Sequence, residues 1–275
     1  MEGEDSSYAN VRGLTRGFTL LKALNAQESG RATIRELSDQ TGLHRTTVRR
    51  LLETMLTEGF VRRSESDDSY RLTIAVRTLS EGFTDDEWIA TVATPLMKEL
   101  TQKLIWPSDL ATPKGDAMII RETTHRFSSL SFHRSMVGRQ LPMLSSAAGR
   151  TYFAYCNDKR RESILIMLRA GTAGPVEMQL AKDESYLNSL IKRVHADGFG
   201  VNDGDLNGHK KTGAIALPIW HHGEVLATLN VVYLSSVITP SEAARLYLTD
   251  LHSVTTKLGR LLEGTPIDMS NGGRY

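Results

Sequence analysis

The chain has 275 residues, of which 40% are hydrophobic and 24% charged, and its formal net charge is +1. This length allows two globular domains, and the small net charge excludes a protein that is polycationic throughout. The single cysteine, Cys156, excludes an intrachain disulfide and favours a reducing, cytoplasmic location.

The ends of the chain are polar. The first ten residues are acidic and polar, and no run of 18 apolar residues occurs anywhere, so we expect no signal peptide, membrane span or membrane partner. We expect residues 1–10 and 264–275 to be disordered. Positive charge is concentrated between residues 10 and 80, where twelve Lys and Arg residues outnumber eight acidic ones. Such local basicity is typical of a module that contacts nucleic acid with one face.

Three consecutive helices are predicted near the N-terminus. Apolar residues recur at helical spacing across residues 14–26. Thr33 and Glu36 fit a capping box at the start of a second helix, which ends near Gln40. A third helix is predicted over residues 44–58, with an apolar face on one side and arginines on the other.

A tight turn joins the second and third helices at Gly42, which can adopt the positive φ that a sharp change of axis needs. Two helices joined in this way are typical of a helix-turn-helix, whose second helix enters the major groove of DNA. Arginine forks match O6 and N7 of guanine, and threonine can contact phosphate oxygens or a thymine methyl group. The alternative is an amphipathic helix whose basic face is merely solvated.

A β-hairpin wing is predicted next, because strand-like runs at 60–63 and 70–73 flank a polar loop. Asp67 and Asp68 at its tip are interpreted as turn formers. The residues that we predict to contact DNA are Thr33, His44, Arg45, Thr46, Thr47, Arg49, Arg50, Arg62, Arg63 and Arg71.

The pattern divides the chain into segments. Pro95 lies inside the helical pattern that follows the wing and its connecting helix, so we expect a kink or break near Ala93. We predict a winged helix-turn-helix domain over residues 11–73, a linker helix over 74–84, an effector-binding domain over 85–263 and a disordered tail over 264–275.

Beyond residue 106 strands and helices interleave. This order predicts an α+β fold in which helices flank a central, mostly antiparallel sheet. Strands are predicted at 108–112, 117–123, 128–133, 199–202, 214–220 and 224–233, helices at 145–155, 160–167, 184–197 and 239–263, and loops at 171–175 and 203–213.

Several segments resemble a known family. They are GLTRGFTLLKAL, IRELSDQTGLHRTTVRRLLETMLTEGFVRR, LPMLSSAAGRTYFAY, and GFGVND followed by AIALPIW and VLATLNVVY. Over residues 11–262 the chain resembles the IclR family of bacterial transcriptional regulators. The segments RETTHRFSSLSFHRSMVGRQLP and LHRTTVRRLLET further resemble the MhpR-type activators of aromatic-acid catabolism. The resemblance implies a winged helix joined to a GAF/profilin-like effector domain, dimers or tetramers, and no catalysis.

Three positions depart from the pattern of that family. His44 stands where many members have Pro or Ser, and Asn202 stands where Asp can occur. Thr73 replaces a Gly that often follows the wing. We expect the first two to alter base and effector preference, and the third to affect the exit from the wing.

The resemblance also implies an effector pocket beside the sheet. An aromatic acid needs an apolar slot and donors for its carboxylate, and Arg121 and Arg139 are additional candidate donors. Regular strand alternation puts Leu130 and His133 on opposite faces, so only a bulge would bring both into one pocket. Otherwise His133 and Arg134 are solvated edge residues. The predicted effector contacts are Leu130, His133, Arg134, Leu141, Met143, Ala147, Ala148, Asn202, Asp203, Ala214 and Asn230.

Small residues at the start of the helix over 145–155 permit two interpretations. Ala147, Ala148 and Gly149 would let an anion approach backbone N–H groups. They would equally allow close packing of the helix on the sheet.

Enzymatic chemistry has little support in the sequence. His221, His222 and Glu224 hint at metal ligation, but adjacent side chains in a tight hairpin point apart, so we predict a turn. We predict a buried or half-buried thiol at Cys156 rather than a nucleophile. We therefore expect no catalytic site, cofactor or metal.

The sequence thus predicts an effector-responsive, DNA-binding transcriptional regulator that forms a homodimer or homotetramer. Its expected partners are double-stranded operator DNA, a small aromatic carboxylic acid and, if it is an activator, RNA polymerase. We expect activation of an aromatic-acid catabolic operon of the hydroxyphenylpropionate type. The alternatives are a repressor that answers a short aliphatic acid, a winged-helix protein-interaction module without an effector, and a DNA-tethered enzyme.

Overall fold

A computed structural model describes residues 11–27, 30–79, 88–131, 136–202 and 212–263. The chain divides into two compact units, Met1–Thr84 and Asp85–Tyr275. The predictions of disorder at both termini fall on residues outside the described ranges.

The N-terminal unit is a helix-turn-helix followed by a small sheet. Its three strands are antiparallel in the order β1-β3-β2, and β2 and β3 form the predicted wing. The two-residue β1 was not predicted, because so short a strand shows no alternation. The elements are α1 (Arg12–Asn25), β1 (Arg31–Ala32), α2 (Ile34–Thr41), α3 (Arg45–Thr57), β2 (Val61–Arg63), β3 (Tyr70–Leu72) and α4 (Ile74–Thr78).

Local chemistry explains the boundaries of α2. The Thr33 hydroxyl accepts a hydrogen bond from the amide of Glu36 at 3.3 Å, and the Thr33 amide donates to Glu36 Oε2 at 2.8 Å. This reciprocal pair is the predicted capping box. The helix ends at Gly42, whose φ of 69° is left-handed, as the predicted turn requires.

Thr73 closes the exit from the wing. Its hydroxyl donates to the carbonyl of Gly59 and accepts from the amide of Ala75 at 3.2 Å. Thr73 therefore ties the wing to the start of α4. That helix ends at Thr78, earlier than predicted, and residues 80–84 of the predicted linker helix lie outside the described ranges.

The C-terminal unit is built on a six-stranded sheet of order β6-β5-β4-β9-β8-β7, in which every pairing is antiparallel. The predicted α+β class and sheet are confirmed. The elements are a π-helical segment (Ile89–Ala93), α5 (Thr94–Leu104), β4 (Ser108–Lys114), β5 (Ala117–Thr123), β6 (Gln140–Pro142), α6 (Ala147–Tyr155), α7 (Asp158–Arg169), α8 (Pro175–Lys182), α9 (Glu184–Asp197), β7 (Gly200–Asn202), β8 (Thr212–His221), β9 (Glu224–Leu234) and α10 (Pro240–Leu262).

The two faces of this sheet have separate cores. On one face Leu110, Leu229 and Val231 pack in one cluster with side chains of α5 and α10. On the other face Ala111 and Met118 pack in a second cluster with side chains of α6, α7 and α9. Near Ala93, where a kink or break was predicted, the helical hydrogen bonding changes from π to α, with Pro95 in the first turn of α5. Ala93 and Thr94 both keep helical backbone angles, so the helix changes type there and is not interrupted.

The strand predicted at 128–133 is wrong for its described part. His125–Phe127 forms a 3₁₀ turn, and residues 129–130 are a turn as well. The Ser128 hydroxyl donates to the carbonyl of Ile105 at 2.6 Å and accepts from the amide of Leu130 at 3.2 Å. Local serine hydrogen bonds thus replace the pairing that a strand would need.

Candidate nucleic-acid interface and internal cavity

The start of α3 presents polar and basic side chains to solvent. His44 caps the helix, because its Nδ1 accepts from the amide of Thr46 at 3.4 Å and lies 2.8 Å from Thr46 Oγ1. Fully buried Val48 and Leu52 fix the opposite face of the helix to the core. The helix N-terminus adds partial positive charge at this end.

Three arginines extend from the exposed face of α3. Arg45, Arg49 and Arg50 are exposed, and none of them forms an ion pair with a residue that the structure describes. Thr46 is exposed and Thr47 half-buried. The face predicted to contact DNA is therefore available for an anionic partner.

The wing carries a row of cationic side chains. Arg62, Arg71 and Arg31 lie directly opposite one another on β2, β3 and β1, and cross-strand partners project from the same face. Arg31 was missed by sequence reasoning, because nothing in the sequence reveals a strand of two residues. Its Nη1 lies 2.8 Å from Asp67 Oδ2.

Arg63 differs from the other predicted wing contacts. It is paired with Tyr70 rather than Arg71 in the strand register, so it belongs to the opposite face of the hairpin. Its Nη2 lies 2.5 Å from Asp68 Oδ1. Asp68 has a φ of 51°, and Asp67 accepts from the amide and hydroxyl of Ser69, as expected of turn formers. Several interactions lower the pKa of Asp67 to about 2, and the largest of them is the hydrogen bond from the Ser69 side chain.

Thr33 also has a structural role. Its hydroxyl donates to Glu36 Oε2 at 2.9 Å while accepting from the Glu36 amide. The side chain predicted to contact DNA is therefore committed to the cap of α2.

An internal cavity of about 130 Å³ lies in the C-terminal unit, between the sheet and the start of α6. Six of the predicted effector contacts line it, namely Leu141, Ala147, Ala148, Asn202, Ala214 and Asn230. Further lining residues are Asp109, His125, Met136, Arg139, Gln140, Pro142, Ser146, Thr212, Gly213 and Val232.

Two predicted contacts do not line this cavity. Leu130 lies in the turn that replaces the predicted strand, with 40% of its surface exposed. Met143 is fully buried in the cluster formed with α6, α7 and α9. His133, Arg134 and Asp203 lie outside the described residues.

The start of α6 forms one polar end of the cavity, here called the amide pole (Ser146, Ala147 and Ala148). The Ser146 hydroxyl accepts from the amide of Gly149 at 2.9 Å and donates to the carbonyl of Pro142 at 2.6 Å. The amides of Ala147 and Ala148 belong to the first turn, where a helix offers no internal acceptor. They can therefore donate to an anion in the cavity.

Gly149 fits the second interpretation of the small residues at this helix start, which is close packing of α6. A Cβ at this position would lie 2.3 Å from the carbonyl oxygen of Met143. Ala147 and Ala148 thus line the cavity, whereas Gly149 permits close packing of α6. Arg139 lines the cavity and is exposed, while Arg121 Nη1 donates to Thr112 Oγ1 at 3.3 Å.

The cavity lining also includes three buried polar side chains, here called the acceptor pole (Asp109, His125 and Asn230). Asp109 and His125 are 2% and 4% exposed. Thr123 Oγ1 donates to Asp109 Oδ1 at 2.6 Å, and His125 Nε2 lies 3.6 Å from the same oxygen. The sequence analysis placed Asn230 near the effector but missed Asp109 and His125. The one signal for Asp109 was a carboxylate inside an apolar strand, which does not show what lies beside it.

The remaining candidate sites are structural. Cys156 is buried, and burial raises its pKa to about 11, which does not suit a nucleophile. His222 and Gly223 have positive φ values and form the predicted turn. Among the described residues, no cluster of His, Cys, Asp or Glu could hold a metal ion, and no helix could cross a membrane.

Comparison with known proteins identifies the family. The model of the IclR helix-turn-helix domain matches residues 13–65, and the model described as bacterial transcriptional regulator IclR C-terminal matches residues 83–259. The chain belongs to the IclR family. Members of this family are DNA-binding transcriptional regulators and not enzymes. This protein is likewise a DNA-binding transcriptional regulator and not an enzyme.

Two curated relatives cover most of the chain. The Pca regulon regulatory protein of Pseudomonas putida is 28% identical over 91% of this chain and 84% of its own length. The transcriptional repressor IclR of Escherichia coli is 26% identical over 69% of this chain and 72% of its own length.

Solved structures share the fold. The IclR of Thermotoga maritima has a TM-score of 0.66 at 14% identity, with 92% of this chain and 100% of that chain covered. An IclR homologue from Microbacterium hydrocarbonoxydans, complexed with 4-hydroxybenzoate, has a TM-score of 0.60 at 20% identity, with 90% and 98% covered.

Proposed function

We propose that this regulator binds operator DNA through α3 and the wing, and that it activates an aromatic-acid catabolic operon in response to a small aromatic carboxylic acid in the internal cavity. The observation that supports the effector part of this proposal is the amide pole, which lies in a partly enclosed cavity large enough for one ring. A regulator of this kind acts in the cytoplasm, where the operator is.

The size of the cavity supports a single-ring effector. Its volume is about 130 Å³, and an apolar protein cavity of roughly 150 Å³ is large enough to hold benzene. The amides of Ala147 and Ala148 would receive the carboxylate, and Leu141 and Val232 would contact the ring. Of the relatives, the Microbacterium homologue is complexed with an acid of this class.

The direction of regulation rests on the resemblance to MhpR-type activators. Activation would require contact with RNA polymerase, whereas a relative in Escherichia coli carries the name repressor. A repressor that answers a short aliphatic acid is therefore the competing proposal.

Self-association is a further part of this proposal. Val11, Leu14 and Phe18 are 67%, 58% and 54% exposed along one side of α1, and an apolar stripe of this kind favours contact with another protein surface. We propose that a second copy of the chain covers it, giving a homodimer or, through a further contact, a homotetramer. Two reading heads would then bind half-sites about one helical turn apart.

Isothermal titration calorimetry of the full chain with benzoate, 4-hydroxybenzoate, 3-(3-hydroxyphenyl)propionate, pyruvate and glyoxylate tests the effector class. Saturable heat with aromatic acids alone is expected. Heat with the aliphatic acids alone would favour the competing proposal, and no heat with any acid would contradict an acid effector.

Transcription from the operator-bearing promoter, measured in a purified system with and without the acid, tests direction. We expect the acid to increase transcript yield only when the regulator is present. A regulator that lowers the yield until the acid is added would be a repressor.

A further inference from the structure

We propose that the acceptor pole selects an effector with a hydroxyl group at the ring position opposite its carboxylate, and that Asp109 is the residue that reads this hydroxyl. This inference rests on the proposed function, since it assumes that an aromatic acid occupies the cavity. It assigns the choice of effector to a buried side chain that was not among the predicted effector contacts.

The hydrogen bonding of Asp109 leaves one carboxylate oxygen open to the cavity. The side chains of Thr123 and His125 both lie beside the carboxylate of Asp109, and both approach its Oδ1 atom. Oδ2 accepts no hydrogen bond from any residue within the described ranges. Oδ2 is not one of the fully enclosed polar atoms that lack a partner, so it is open to the cavity that Asp109 lines. A hydrogen-bond donor on a ligand can reach it there, and a hydrogen bond to a charged oxygen is a strong one.

The charge of the acceptor pole fixes which end of the effector it can accept. A second carboxylate beside Asp109 would be repelled, whereas a phenol hydroxyl can donate to an anionic oxygen. The amide pole has the opposite preference, because helix N-terminal amides favour an anion. A hydroxy acid can therefore bind in one orientation only.

The strand register sets the distance between the poles. Asp109 lies opposite Asn230, and Asn230 lies opposite Ala216, so the three residues form one row across β4, β9 and β8. Ala147 of the amide pole packs against Ala216 and Ala214. Because neighbouring strands are about 4.8 Å apart, the poles are separated by roughly 10 Å.

That separation matches a single ring whose two polar groups lie at opposite ends. A hydroxyl adjacent to the carboxylate would stay near the amide pole and leave Asp109 Oδ2 without its donor. The effector class is therefore a para-hydroxylated aromatic acid, and benzoate and 2-hydroxybenzoate are its discriminating comparisons.

The test is calorimetry of the full chain with 4-hydroxybenzoate, 2-hydroxybenzoate and benzoate, on wild type, Asp109→Ala and the isosteric Asp109→Asn. Wild type should bind the para-hydroxy acid about tenfold or more tightly than the other two acids, because a hydrogen bond to a charged partner is lost without the hydroxyl. In Asp109→Ala this preference should fall towards onefold while benzoate affinity is kept or improved. Asp109→Asn should reduce the preference by several-fold, and it carries the test if the alanine variant fails to fold.

The control is Asp250→Asn, which removes a carboxylate paired with Lys103 in the same unit. It should leave the preference unchanged. Equal affinity for all three acids in wild type, or an Asp109 variant that weakens all of them to the same extent, would overturn the assignment of Asp109 and leave the aromatic effector standing. Absence of binding by every acid would overturn the proposed function and this inference together.

Discussion

At the scale of single residues, the exposed arginines of α3 and those of the wing differ in what they already contact. Arg45 and Arg49 have no carboxylate partner among the described residues, whereas Arg63 and Arg31 are paired with Asp68 and Asp67. A guanidinium without a partner gives up no ion pair when it meets DNA. The helix arginines should therefore contribute more to operator affinity than the paired ones.

Replacing Arg45 or Arg49 by Ala should weaken specific operator binding by about 1–3 kcal/mol each, because a base contact would be lost. Fluorescence anisotropy with the cognate operator and a scrambled duplex measures both affinities. Arg35→Ala, on the exposed side of α2, serves as the control and should change specific binding much less. Unchanged discrimination between the two duplexes in both helix variants would remove these arginines from the base-reading role.

Cys156 should be unreactive in the folded protein. Burial raises the pKa of its thiol to about 11, so the thiolate is scarce at pH 8. A thiol-specific reagent at pH 8 should label the folded chain slowly and the denatured chain at once, with Cys156→Ser as the blank. The stability tied to this shift is fully present below the unfolded pKa near 9 and is lost as pH rises towards 11. Rapid labelling of native protein at pH 8 would contradict this account.

The acceptor pole marks where residue-level prediction from the sequence ended. Ala147, Ala148 and Asn230 could be predicted, because the resemblance carried their positions over from related chains. The position of Asp109 in the cavity could not be predicted, because it arises from strand register, which brings Asp109 into one row with Asn230. Register depends on pairing between segments more than a hundred residues apart, and local pattern does not encode it.

At the scale of elements, two capping boxes start helices in the two units. Thr33 with Glu36 begins α2, and Thr239 with Glu242 begins α10. In both boxes the hydrogen bond from the threonine amide is the largest cause that lowers the pKa of the glutamate below 4.5. The stability linked to these shifts is present above the unfolded pKa and falls as acid protonates the carboxylates.

Thr33→Ala and Thr239→Ala should each cost about 0.5–2 kcal/mol of stability, but in different units. All three tryptophans, Trp88, Trp106 and Trp220, lie in the C-terminal unit, so tryptophan fluorescence follows that unit alone. In urea titrations Thr239→Ala should shift the fluorescence midpoint. Thr33→Ala should leave the fluorescence midpoint unchanged. It should shift only the unfolding of the N-terminal unit, which is seen in the circular dichroism signal. Equal fluorescence shifts in both variants would contradict this separation.

Gly149→Ala should destabilise the C-terminal unit by about 1–3 kcal/mol, because its new Cβ would meet backbone atoms that cannot move aside cheaply. The same urea titration measures this cost. Gly13→Ala is the matched control, since no atom lies within 4 Å of its Cβ position in α1. That change should stabilise the N-terminal unit by roughly 0.5–1 kcal/mol. A neutral Gly149→Ala variant would show that the start of α6 is looser than this geometry requires.

Most elements could be predicted because caps, turns and periodicity are written locally. One exception is α8, which was not predicted and which begins at Pro175, the last residue of the segment 171–175 that was predicted to be a loop. Yet α8 supplies Glu177, whose carboxylate accepts from the Leu144 amide and the Ser145 hydroxyl, both at 2.7 Å. A helix missed in the sequence thus fixes the segment that leads into the amide pole.

At the scale of the whole molecule, the stripe on α1 bears on assembly. Phe18→Glu should shift the protein to a lower oligomeric state, because a charge would have to be buried in the proposed contact. Light scattering after size-exclusion chromatography measures the mass. Arg16→Glu, placed well away from the stripe around α1, should leave the mass unchanged. A Phe18→Glu chain with the wild-type mass would place the contact between copies elsewhere.

The small volume of the cavity has a consequence for the concentrations to which this regulator can respond. The proposed single-ring hydroxy acid has about ten non-hydrogen atoms, and small ligands of good fit bind with roughly 0.6–0.8 kcal/mol per atom. The resulting binding free energy of about −6 to −8 kcal/mol corresponds to a Kd from about one to several tens of micromolar. A protein with this cavity would ignore trace amounts of the acid and respond once the compound is abundant enough to serve as a carbon source.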